Sequence, residues 1–106
     1  MPFLPVARVT DLPDGTLLGV VTPAGERVCL LNQDGEIHAL GNNCTHQEFP
    51  ISDGLLLPDA RIECAWHGAI FDCRTGAPRR LPATDPLPVY AVKIENGQIL
   101  VGDRLS

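Results

Sequence analysis

Two short runs constrain this chain more than anything else in it: Cys44-Thr45-His46 and Cys64-Ala65-Trp66-His67. Each places a thiol and an imidazole within one turn of backbone, and residues 47 to 63 separate them. Together they supply two sulfurs and two nitrogens, a complete four-ligand set for metal. A fold that uses all four must bring two loops side by side, each presenting one sulfur and one nitrogen.

The remaining sequence suits such loops. Ten glycines and ten prolines favour many turns and few long helices. A chain of 106 residues fits one domain, 1–106, with no room for a second core. Short strands are expected over 3–9, 15–21, 26–31 and 36–40, and again over 89–94 and 98–101. Asp34-Gly35 and Asn96-Gly97 are hairpin signals, because glycine accepts positive φ. The middle is loop-rich, with short strands expected over 61–64 and 69–72 and at most a turn near 46–49. The fold class is therefore all-β: an antiparallel sandwich or barrel-like base over 1–40 and 83–106, with an inserted metal-binding lobe over about 41–82. A base closed on itself would also hide its strand edges.

A formal charge of −5 and a pI near 4.9 argue against a nucleic-acid surface, which needs a basic stripe. The N-terminal residues Met1 to Val6 contain no basic or apolar targeting segment. Apolar stretches such as Leu17 to Val21 fall far below the roughly 20 residues that span a bilayer. The expectation is a cytoplasmic, reducing setting, no membrane and a monomer. Four cysteines there are metal ligands or buried thiols rather than disulfides. Cys29, in the apolar run Val28 to Leu31, reads as a small packed hydrophobe. Cys73 reads as a packed or partly exposed thiol, its rival reading being a redox-sensitive surface thiol. His38 is expected as a surface or packed residue.

Thiolate with imidazole suits zinc, copper or iron–sulfur chemistry and disfavours magnesium and calcium. The common zinc finger runs Cys, Cys, His, His; here the order is Cys, His, Cys, His. That order lets two cysteines grip one iron and two histidines the other, the arrangement in which His replaces Cys on one iron of a [2Fe–2S] centre. A structural zinc site has the same donor set and stays as an alternative.

The chain resembles the Rieske ferredoxin family over nearly its whole length. The resemblance rests on Cys44-Thr45-His46, Ile51-Ser52-Asp53-Gly54, Cys64-Ala65-Trp66-His67-Gly68, Phe71-Asp72, Thr75-Gly76 and Leu81-Pro82. It implies the Rieske fold and one [2Fe–2S] cluster. It also implies that Cys44 and Cys64 bind one iron and His46 and His67 the other, with Pro82 in a covering loop. Ala65 stands where the family commonly has proline. High-potential relatives resemble this pattern but add a bridging cysteine to each loop, at positions matching Phe49 and Trp66. They also place hydroxyl donors at positions matching Ala69 and Phe71. Loss of those donors lowers the potential, which points to the low end of the Rieske range, about −150 mV. The far nitrogens of His46 and His67 are expected to face solvent as the electron port, and the midpoint to fall at alkaline pH.

The sequence has no dinucleotide fingerprint, no flavin motif and no nucleophilic triad. One one-electron centre in a small domain is a carrier rather than an enzyme. The resemblance implies the ferredoxin component of an aromatic-ring dioxygenase system, taking electrons from a NAD(P)H-dependent, flavin-containing ferredoxin reductase and passing them to a terminal oxygenase. The alternatives are a small Rieske subunit of an assimilatory, nitrite-type reductase and, in another class, a non-redox zinc-stapled interaction module. Arg74, Arg79 and Arg80, with Glu48, Asp53, Asp59 and Glu63, would make a mixed-charge docking collar.

Overall fold

The computed structural model describes residues 3–42, 50–64, 68–80 and 86–105. Among them ten strands form two antiparallel sheets. In chain order these are β1 (Leu4–Arg8), β2 (Thr16–Val21), β3 (Arg27–Gln33), β4 (Glu36–Gly41), β5 (Leu55–Leu57), β6 (Arg61–Glu63), β7 (Ile70–Asp72), β8 (Pro78–Arg80), β9 (Val89–Glu95) and β10 (Gln98–Arg104). The larger sheet runs β1-β10-β9-β4-β3-β2, and the smaller runs β5-β6-β7-β8.

Each strand read from the sequence has its counterpart. β3 extends past Leu31 to Gln33, which narrows the first hairpin turn to Asp34-Gly35. Both turn residues are left-handed, with φ of 56° and 86°; Asn96 and Gly97 repeat this between β9 and β10, with φ of 52° and 75°. That geometry matches the natural twist of paired strands. Two strands were not anticipated. β5 is an unalternating run of leucines, and β8 carries Pro78 with two arginines. Both lie at edges of the smaller sheet, where a short strand needs neither alternation nor every N–H.

The larger sheet curls rather than closes. β1 and β2 approach each other at its two ends, but no ladder joins them among the described residues. The expectation of a base closed on itself is corrected to that extent. The 3₁₀ turn Ile51–Asp53 packs beside β2 instead.

β3 explains why the two sheets stay together. Val28 to Asn32 are all buried, because the pleat sends alternate side chains into two separate cores. Val28 and Leu30 join Leu12, Ala39, Tyr90 and Ile99 inside the curl of the larger sheet. Cys29 and Leu31 face the other way, packing with Leu40, Ile51, Ile62, Cys64, Phe71 and Cys73 between the sheets. At the end of β3, Gln33 bridges to the small sheet: its Nε2 donates to the Leu57 carbonyl at 2.8 Å, and its Oε1 accepts from Ala60 N–H. The apolar face and this amide clamp together set where the smaller sheet sits.

Candidate metal centre

Of the four expected ligands, Cys64 lies among the described residues; Cys44, His46 and His67 lie outside them, as do Phe49, Trp66 and Pro82 and the turn expected near 46–49. What the structure gives is the frame to which those segments attach. Segment 43–49 leaves β4 at Gly41, whose N–H donates to Pro88 O at 2.9 Å, and at Asn42, whose N–H donates to Arg27 O at 3.0 Å. It re-enters at Pro50 and the 3₁₀ turn, which Gly54 ends by donating its N–H to Ile51 O at 2.9 Å. A Cβ on Gly54 would run into the carbonyl of Glu63, so glycine alone permits this approach. The chain leaving segment 43–49 is thereby held against the residue that precedes Cys64.

The second segment is closed at its own base. Cys64 N–H donates to Ala69 O at 2.7 Å, which ties the two ends of 65–67 together. Segment 81–85 is flanked in the same way. Leu87 N–H donates to Gly76 O at 2.8 Å, and Gly76, at φ +76°, leaves no room for a Cβ against Leu87 O. Four pairings, 41 with 88, 54 with 63, 64 with 69 and 76 with 87, thus gather the described flanks of all three segments. The motif glycines at 54 and 76 are legible as motif positions; that they act as close-contact joints is visible only once β6 and the 86–88 stretch lie against them.

Cys64 itself is 1% exposed and shares its cluster with Ile51, Ala69 and Phe71. A sulfur donor on an apolar floor, three residues before a histidine in the sequence, fits a soft, water-shielded metal group. Ala69 and Phe71 are fully buried and bring no hydroxyl to that floor. Among the described residues no three His, Cys, Asp or Glu side chains gather as another metal site.

Cys29 is packed, as read. Cys73 is packed too, with no exposed surface, so the surface-thiol reading is overturned. Burial, and then the closeness of Cys73, pushes the Cys29 thiol up to about 12. Burial, and then the charge of Asp72 against the smaller opposing pull of Arg74, does the same for Cys73, also to about 12. His38 is half-buried, its Nε2 3.5 Å from a carboxylate oxygen of Glu36.

The expected charge collar is partly committed to internal contacts. Asp72 Oδ1 accepts from Arg74 N–H at 2.8 Å and Thr75 N–H at 3.3 Å, while Oδ2 pairs with Arg79 at 3.2 Å. Burial alone would raise this carboxyl; the hydrogen bonds from Arg74, Arg79 and Thr75, with the charge of Arg79, outweigh it and hold it below the usual carboxylate range. Arg74 reaches Asp59 O at 3.3 Å and the Glu36 carboxylate at 3.9 Å. Asp53 is exposed; Glu48 and the side chain of Arg80 lie outside the described residues.

Residues 3–91 match the family model described as Rieske [2Fe-2S] domain. The chain is 40% identical over 93 residues to the 3-phenylpropionate/cinnamic acid dioxygenase ferredoxin subunit of Escherichia coli (strain K12), covering 88% of this chain and 86% of that one. Among solved structures, the ferredoxin of carbazole 1,9a-dioxygenase from Nocardioides aromaticivorans IC177 aligns with a TM-score of 0.88 at 30% identity, covering 95% of this chain and 97% of that one. A chain of the complex of reduced oxygenase and oxidized ferredoxin in carbazole 1,9a-dioxygenase aligns with a TM-score of 0.85 at 31% identity, covering 93% and 91%.

Proposed function

The chain belongs to the Rieske [2Fe–2S] domain family, and from that premise we propose that it is the single-electron carrier between a NAD(P)H-dependent, flavin-containing reductase and the terminal oxygenase of an aromatic-ring dioxygenase system. The observation that carries this is the buried Cys64 thiol on its apolar floor, at the point where the flanks of both ligand runs converge. The family's [2Fe–2S] cluster supplies a one-electron couple.

In this reading Cys44 and Cys64 hold one iron, and His46 and His67 the other. Ile51, Ala69 and Phe71 keep water from the sulfur side, being wholly buried themselves. The joints at Gly54 and Gly76 hold the ligand runs and the 81–85 segment to one frame. The chain has one role, carriage, and catalyses nothing alone; it acts as a cytoplasmic monomer and a single domain, with a cluster lobe over about 41–82 on a β base. No helix among the described residues is long and apolar enough to cross a membrane. The solved relative that pairs a ferredoxin with its oxygenase supports the choice of acceptor.

The test is an EPR spectrum of dithionite-reduced protein, followed by turnover with a purified reductase and oxygenase. A brown protein with a mixed nitrogen–sulfur signal that supports turnover is expected. Colourless, zinc-loaded protein would end the proposal, and a stable complex with an assimilatory reductase would reassign the carrier to that enzyme. Because Ala69 and Phe71 offer no hydroxyl, the midpoint is expected near −150 mV, about the low end of the range for such centres; a redox titration giving a value above zero would refute this.

A further inference from the structure

Asn42 and Ser52 stand on either side of the segment that contains Cys44 and His46. Asn42 Oδ1 accepts from Ser52 N–H at 2.8 Å, and Asn42 Nδ2 donates to Ser52 Oγ at 3.0 Å. One side-chain amide therefore spans the base of the segment and is engaged at both ends. The backbone beneath is fixed as well, through Asn42 N–H on Arg27 O at 3.0 Å and through the 3₁₀ turn that contains Ser52. Both residues are half-buried, so these bonds compete with water less than exposed ones do. Under them lies Gly19 of the edge strand β2. A Cβ there would stand 2.8 Å from Asn42 Nδ2 and 2.8 Å from Ser52 Oγ, so the clasp occupies the space that glycine leaves.

We propose that Asn42 and Ser52 are positioning residues for the first ligand segment: their double hydrogen bond, seated on Gly19, sets the separation of the segment's two ends and so the aim of Cys44 and His46. The proposal rests on the Rieske reading of those two residues. A loop whose ends are fixed has already met part of its closure entropy before any ligand binds. Groups that orient ligands without touching metal commonly govern how firmly it is held.

Three variants test it in the holoprotein. Asn42→Ala removes both bonds. Asn42→Asp keeps an acceptor for Ser52 N–H and offers a second one to the hydroxyl. Gly19→Ala removes no polar group but pushes a methyl under the clasp, against side-chain ends that can move at little cost to the fold. Gly102→Ala is the control, since the atoms nearest its Cβ would be those of the Phe3 ring, at 2.9 Å, and not Asn42 or Ser52. Reduced-state EPR g values, iron release to a chelator and thermal midpoint are measured for each. Asn42→Ala and Gly19→Ala are expected to shift the g values and to release iron about tenfold faster, the lower end for a ligand-orienting group, while Asn42→Asp stays near the parent. Gly102→Ala is expected to lower only the thermal midpoint. Parental g values and iron release in Gly19→Ala, or equal changes in Gly102→Ala, would overturn the clasp; if Asn42→Ala fails to fold, Gly19→Ala decides. Parent protein without a mixed-ligand signal would instead overturn the functional reading beneath it.

Discussion

Cys29 and Cys73 lie far apart in the chain yet share one apolar cluster, each fully buried and each thiol pushed up to about 12. Alkylation needs the thiolate, so both should remain unmodified in the folded protein at pH 8 and react once urea opens the core. Peptide mapping by mass spectrometry reads this directly; modification of Cys73 in native protein at the unfolded rate would contradict it. The pair also shows where sequence reading stopped. Cys29 sits in an apolar run, and that run announces its burial. Cys73 follows an aspartate and precedes an arginine, which look like surface. Its burial goes with the pairing of β6 and β7, which Cys73 N–H continues by donating to Ala60 O at 2.7 Å, a contact no local pattern encodes.

At the level of elements, the turn from β7 to β8 depends on one carboxylate. Asp72 accepts from two backbone N–H groups and from Arg79, and its own backbone bonds Gly76 and Ala77. Its folded-state pKa lies below the ordinary value, so its contribution to stability is complete above about pH 4 and is lost as pH falls through the folded value. Asp72→Asn should therefore lower stability at neutral pH and flatten its decline in acid. Urea midpoints across the acid range test this, and an unchanged acid slope would refute it. The strands of the large sheet were legible because their alternation and Asp-Gly or Asn-Gly turns are local signals. β5 and β8 were not, since three-residue edge strands exist only by pairing with β6 and β7. For the site, the spacing of cysteine and histidine in the two runs was plain in the chain, while the joints at Gly54 and Gly76 required distant carbonyls to be in place.

For the molecule as a whole, net charge is −5, and Arg79 and Arg80 lie just before segment 81–85. Arg79→Glu also sets a carboxylate against Asp72, so Arg80→Glu is the cleaner probe of docking. Its electron-transfer rate with reductase or oxygenase should fall at low salt and converge on the parent at high salt; unchanged rates with both partners would retire the collar. Cooperativity offers a second test at this scale. β3 feeds both hydrophobic cores, and Gln33 at its end grips Leu57 of β5 and Ala60 in the turn that follows it. Calorimetry of the holoprotein should show one transition with matching calorimetric and van't Hoff enthalpies; two resolved peaks would contradict it. A strand with an interior on either side leaves no seam along which the molecule could part. Heat that frees the smaller sheet must also dismantle the larger one, so bleaching of the brown colour and loss of β-sheet should keep the same clock.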